Sequence, residues 1–168
     1  RFEVTNKSLT TGVSITKTGP KEVMGGQPVR YVFDHIANNS SVRLDSFYWR
    51  DTLPAEVILD TVVTGTYNRP GNYKIVYRVN GGEYQTLADN LSTASERVTE
   101  IMFVFGQAPA GFAQVEKPYL YCTARPGLPA GAFVNRADVG GVYNKEWIQA
   151  VSRWVTTVYG KTIPLPRT

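Results

Sequence analysis

From Val13 onward, hydrophobic and polar residues alternate with a period of two, the pattern of strands that bury one face. The alternation predicts short strands over residues 13–18, 28–37, 44–53, 56–64, 73–79, 83–88, 97–106, 113–123, 132–142 and 147–159. Turn-forming strings lie between them, including TGP, GGQP, NNSS, RPGN, NGGE and ARPGLPAG, whose Gly, Pro and Asn residues favour chain reversal. The clearest hairpin is YKIVYRVNGGEYQTL, where Asn80, Gly81 and Gly82 offer the positive φ angles of a tight turn. STASER predicts one helical turn and no other helix is expected. About ten short strands at near-regular spacing, without helical crossovers, predict an all-β antiparallel sandwich, with a closed barrel as the competing architecture.

A length of 168 residues suits one domain with a real core. Residues 1–12 read as a linker or the end of a preceding domain, 13–160 as the sandwich, and 161–168 as an extended tail. The 15 Gly, 10 Pro and 10 Tyr, set among many Val and Thr, reinforce the reading of strands and turns. A net charge of +4 is spread without a Lys/Arg block, so neither nucleic acid nor a membrane surface is an expected partner. No apolar run is long enough to span a bilayer. Cys122 is the only cysteine, which excludes an internal disulfide; within YLYCTA it reads as a small buried hydrophobe. His35, the only histidine, has no patterned nucleophile beside it, and DHIANN lacks a metal-spaced partner. No turnover enzyme, metal or cofactor is expected.

Three polar residues fall on apolar faces. Lys17 shares a parity with Val13 and Ile15; Asp51 shares one with Phe47, Trp49 and Leu53; Asn135 shares one with Phe133, Ala137 and Val139. A lone buried ammonium or carboxylate costs several kcal/mol or changes protonation, so the three are cheaper together. Desolvation lowers a lysine pKa and raises an aspartate pKa, favouring a neutral amine beside a protonated acid. Such an amine can attack the Asn135 carboxamide while Asp51 polarises it and shuttles protons to departing ammonia. A buried but unlinked polar cluster is the alternative. Lys21 or Lys117 replaces Lys17 if the first strand is shifted, and Asp34 is the reserve acid, although it faces away from Tyr31 and Phe33.

The string SITKTGPKEVMGGQPVRYVFDHIANNSSVRLDSFYWRDTLP, followed much later by FVNRADVGG, resembles the repeated immunoglobulin-like domains of Gram-positive adhesins and pilins, in particular the collagen-adhesin A type. The resemblance covers roughly residues 13–158. It implies an isopeptide bond from a first-strand Lys to a late-strand Asn, assisted by a central acid, with Lys17, Asn135 and Asp51 at the matching positions. The last four residues, Leu165, Pro166, Arg167 and Thr168, resemble the sorting signal that a sortase cuts after threonine, without the following Gly. This implies a chain on the product side of that cut. Sortase would then be a partner, followed by peptidoglycan or a neighbouring pilin joined through Thr168. Other domains would meet a host ligand that this sequence does not reveal. The expected setting is the cell wall or surface of a Gram-positive bacterium.

Two further features bear on function. VYNKEW resembles the pilin motif whose lysine accepts the next subunit, which would make Lys145 an acceptor, but it lacks the Pro-Lys-Asn core. Alternatively, Tyr67, Tyr73, Tyr77, Tyr84, Tyr119 and Tyr121 are candidate stacking platforms for a secreted module that binds a carbohydrate or matrix ligand.

Overall fold

A computed structural model describes residues 8–69, 71–87 and 98–160. The proposed helical turn at 92–97 and the tail at 161–168 lie outside these residues, as do positions 1–7 of the expected linker.

The strands are β1 (Val13–Thr18), β2 (Glu22–Val23), β3 (Pro28–Asn38), β4 (Leu44–Thr52), β5 (Val57–Val63), β6 (Lys74–Arg78), β7 (Gln85–Thr86), β8 (Glu100–Ala108), β9 (Tyr119–Ala124), β10 (Gly131–Tyr143) and β11 (Glu146–Val158). They form a four-stranded sheet in the order β1-β3-β9-β5 and a seven-stranded sheet in the order β2-β11-β10-β4-β8-β6-β7. Pairing is antiparallel throughout except between β2 and β11. The chain is an all-β, immunoglobulin-like sandwich, and the buried side chains of both sheets form its core.

Alternation places the core. In β3, Val29, Tyr31 and Phe33 point inward; in β4, Phe47, Trp49 and Asp51 do. Trp49 stacks on Phe103 with centroids 4.2 Å apart and meets Phe33 across the interior at 4.7 Å. Packing of this kind accounts for a stabilisation of about 1.5–3 kcal/mol per fully buried large apolar side chain.

Eleven strands are present where about ten were expected, and two differences have clear causes. β2 has only two residues, too few for a periodic signal. The strand expected to start at 113 starts at Tyr119, because Pro118 has no N–H for the ladder. Residues 113 and 114 make isolated bridges with Ala37 and Tyr67 instead. The NGG reversal uses positive φ at Asn80 and Gly81, closed by the Gly82 N–H donating to the Val79 carbonyl at 2.9 Å. Residues 10–12 are tied to the loop after β3: the Thr10 N–H donates to Ser41 Oγ and the Gly12 N–H to Ser40 Oγ.

Candidate functional site

Lys17, Asp51 and Asn135 all point into the space between the sheets, with relative exposures of 2%, 0% and 0%. Lys17 comes from the four-stranded sheet. Its backbone N–H donates to Ser152 Oγ of β11 at 3.0 Å, which pins β1 against the opposite sheet and directs its inward row across the interior. Asp51 lies opposite Ala137 of β10, and Asn135 is two residues before Ala137 on the same face. One strand pairing therefore holds the acid and the amide as diagonal neighbours.

The Lys17 ammonium contacts Asp51 Oδ1 and lies 4.2 Å above the Tyr31 ring centroid and 5.0 Å from that of Phe33. Burial pulls the Lys17 pKa from 10.5 down to about 8, against the opposing pull of Asp51. Burial also drives the Asp51 pKa upward, partly offset by Lys17 and by the neighbouring Asn135 carboxamide. Both shifts favour an amine and a carboxylic acid that share one proton.

Hydrogen bonding in this region is incomplete. Among the described residues, the buried side-chain nitrogen and oxygen atoms without a partner are Tyr31 Oη, Asp51 Oδ2, and Asn135 Nδ2 and Oδ1. Each unsatisfied buried polar group costs about 1–3 kcal/mol, a large fraction of what holds a domain of this size together. These groups are close neighbours: Asn135 acts on the ionisation of both Asp51 and Tyr31. The arrangement brings an amine, a carboxyl group and an amide together in one dry region, the groups that amide exchange would use.

The alternative residues are elsewhere. Lys21 is exposed, and Lys117 pairs at the surface with half-exposed Asp34 at 3.4 Å. His35 is exposed, and no group of three or more His, Cys, Asp or Glu among the described residues is placed to hold a metal. Cys122 is buried on β9 as a free thiol, its pKa raised by burial. Lys145 sits with Asn144 in the positive-φ turn that joins β10 to β11. Of the tyrosines considered as stacking platforms, Tyr67 and Tyr73 are half-buried and pack against Phe105 at 4.8 Å each, while Tyr84 and Tyr121 are exposed. Leu165, Pro166, Arg167 and Thr168 lie outside the described residues.

Two features escaped the sequence reading. Tyr31 belongs to the site, and its parity with Val29 and Phe33 was the available signal. On the outer face of the seven-stranded sheet, Asp138 is 2% exposed and accepts from Arg50 Nε and Nη2 at 2.9 Å each and from Tyr48 Oη at 2.6 Å. The opposite parity of Tyr48, Arg50 and Asp138 to the inward rows signals this second network.

No family model matches the chain, and no curated protein matches it. Solved structures do. A Corynebacterium diphtheriae protein described as membrane-anchored superposes with a TM-score of 0.52 at 12% identity over 92% of this chain, which spans 37% of that one. A cohesin module from a Clostridium perfringens family 33 glycoside hydrolase gives 0.50 at 13% identity, covering 90% of this chain and all of that one. The collagen-binding domain of a Staphylococcus aureus adhesin gives 0.49 at 14% identity, over 88% and 99% of the two chains. At these identities the likeness to the first two is one of fold alone, and it agrees with the two-sheet architecture traced above.

Proposed function

We propose that the chain is a structural stalk domain of a sortase-anchored Gram-positive surface adhesin or pilin, locked by a self-formed isopeptide bond between Lys17 and Asn135. The observation that carries this reading is the dry cluster in which Lys17 contacts Asp51 and the adjoining Asn135 amide has no hydrogen-bond partner. An inert core gains nothing from such a group. A reactive one needs an unengaged carbonyl and an amine whose pKa is near neutrality.

Asp51 takes a proton from the Lys17 ammonium, and the neutral amine attacks Asn135 Cγ. Asp51 then gives that proton to the departing nitrogen and accepts a second one from the newly bonded Nζ, so one ammonia leaves, one neutral amide bond remains and Asp51 ends as the protonated acid. This is a single event without turnover, consistent with a domain that is no enzyme. Fixed proximity supplies the rate, since aligned groups reach effective molarities of about 10⁵–10⁸ M.

The link closes a loop from position 17 to 135, for which chain entropy gives roughly 4–5 kcal/mol of stabilisation. Pulling force would cross the sandwich through the covalent bridge, sparing the strands enclosed between its ends. That property suits a module that holds a distal binding region away from the wall, with Thr168 as the anchor and sortase as its catalyst. The packing of Tyr67 and Tyr73 into an aromatic cluster argues against a row of sugar platforms. Intact-mass measurement tests the central claim. The folded chain should be lighter than its sequence by one ammonia, and Lys17→Ala should restore the full mass; a folded wild-type chain at full mass rejects the bond.

A further inference from the structure

Tyr31 is fully buried on β3, and its hydroxyl has no hydrogen-bond partner. Buried phenols normally find one. The ring lies beneath the Lys17 ammonium, and the Asn135 side chain is near enough to the hydroxyl to pull the phenol pKa down against burial; both amide atoms of Asn135, Nδ2 and Oδ1, are without a partner. The ring position is tightly set. A Cβ at Gly19 would stand 2.9 Å from Tyr31 Cδ1 and 3.0 Å from Cε1, so only glycine lets the chain pass this close to the ring.

We propose that the Tyr31 hydroxyl is the oxyanion donor of the bond-forming reaction; this rests on the Lys17–Asn135 reading above. As neutral Lys17 Nζ bonds to Asn135 Cγ, the carbonyl π pair moves onto Oδ1. The Tyr31 O–H donates to that oxygen as its charge develops. When the oxyanion collapses, the Cγ–Nδ2 bond breaks, Asp51 passes the proton that the bonded Nζ gives up to Nδ2, which leaves as ammonia, and Tyr31 keeps its own proton throughout. Burial raises the phenol pKa, which favours the protonated, donating form. Tyr31 and Asp51 thus divide the work: one stabilises the oxygen, the other moves protons. A donor poised for the tetrahedral intermediate, not the ground-state amide, also explains why no hydrogen bond is made beforehand.

The test follows ammonia loss by intact mass in full-length chains made by cell-free synthesis and sampled over time. Wild type should lose ammonia quickly, and folded Tyr31→Phe should lose it roughly 100-fold or more slowly, the usual effect of removing one oxyanion donor. Loss at the wild-type rate in Tyr31→Phe overturns the role of Tyr31 while leaving the bond intact. Full mass in folded wild type overturns the Lys17–Asn135 reading and this proposal with it. If Tyr31→Phe fails to fold, ring-fluorinated tyrosine placed at position 31 keeps the shape and makes the hydroxyl more acidic. A faster reaction then supports the donor, and an unchanged rate overturns it, since a purely packing role is insensitive to phenol acidity.

Discussion

Asp51 and Asp138 are both almost fully buried and lie on neighbouring strands, one rung apart on opposite faces of the same sheet. Asp138 is saturated: a bidentate Arg50, the Tyr48 hydroxyl and Arg136 at 3.4 Å all donate to it. Tyr48 in turn accepts from Gln149 at 3.0 Å, and Arg50 reaches Glu100, which pairs with Arg78. Asp51 has one partner and one bare oxygen. A satisfied carboxylate holds strands together and has no cause to change. One left short of donors, beside an amine and an open amide, is kept in a state from which it can react. Burial does not separate the two acids; the completeness of their hydrogen bonding does.

The sharpest break in this contrast is removal of the bond. Lys17→Ala and Asn135→Ala should each lower unfolding free energy by roughly 4–5 kcal/mol relative to the linked chain, read from reversible denaturant titrations. Equal stability in all three chains would place Asp51 beside Asp138 as a merely structural acid. Next in size is Asp138→Ala, which strips Arg50 of its bidentate partner in a site where the arginine side chain is only 24% exposed. A loss of about 3 kcal/mol is expected, with the mass deficit untouched. A change in mass there would mean that the two faces are not independent.

The smallest effect concerns pH. In Asn135→Ala, Lys17 remains a free amine whose pKa burial lowers from 10.5 to about 8. Between those values the unfolded chain holds a proton that the folded chain has released, so stability rises with pH across that window. A wild type linked as proposed would hold an amide nitrogen there, and this contribution would be absent. Denaturant midpoints at the two ends of the window check the difference. A flat profile in Asn135→Ala would mean that Lys17 reaches water.

Much of the fold is legible in alternation. β1 runs over the same residues as its expected strand because Val13, Ile15 and Lys17 keep strict parity. The inward directions of Lys17, Asp51 and Asn135 are written in the same parity. What cannot be read is their common depth, since that depends on pairing register. Asp51 meets Ala137 in a ladder whose register shifts between Gly140 and Val142, and no local pattern encodes such a shift. Tyr31 went unnoticed for a related reason: an inward tyrosine reads as packing, and only its unpaired hydroxyl sets it apart. The segment before Tyr119 was misread because its alternation runs on through Pro118, where backbone chemistry overrides side-chain pattern.

In the proposed stalk, the short parallel pairing of β2 with β11 would have a mechanical meaning. The Thr157 N–H donates to the Lys21 carbonyl at 2.9 Å and the Tyr159 N–H to the Val23 carbonyl at 3.0 Å. Tension drawn from beyond Val158 would pull β11 along its own axis, while the proposed bond at Lys17 would hold β2 back from its opposite end. Two parallel strands tugged in opposing senses load their cross-links together, in shear, instead of opening them one after another like a zip. The 13-residue strand β11, which falls outside the proposed loop between 17 and 135, would thereby have its own clamp.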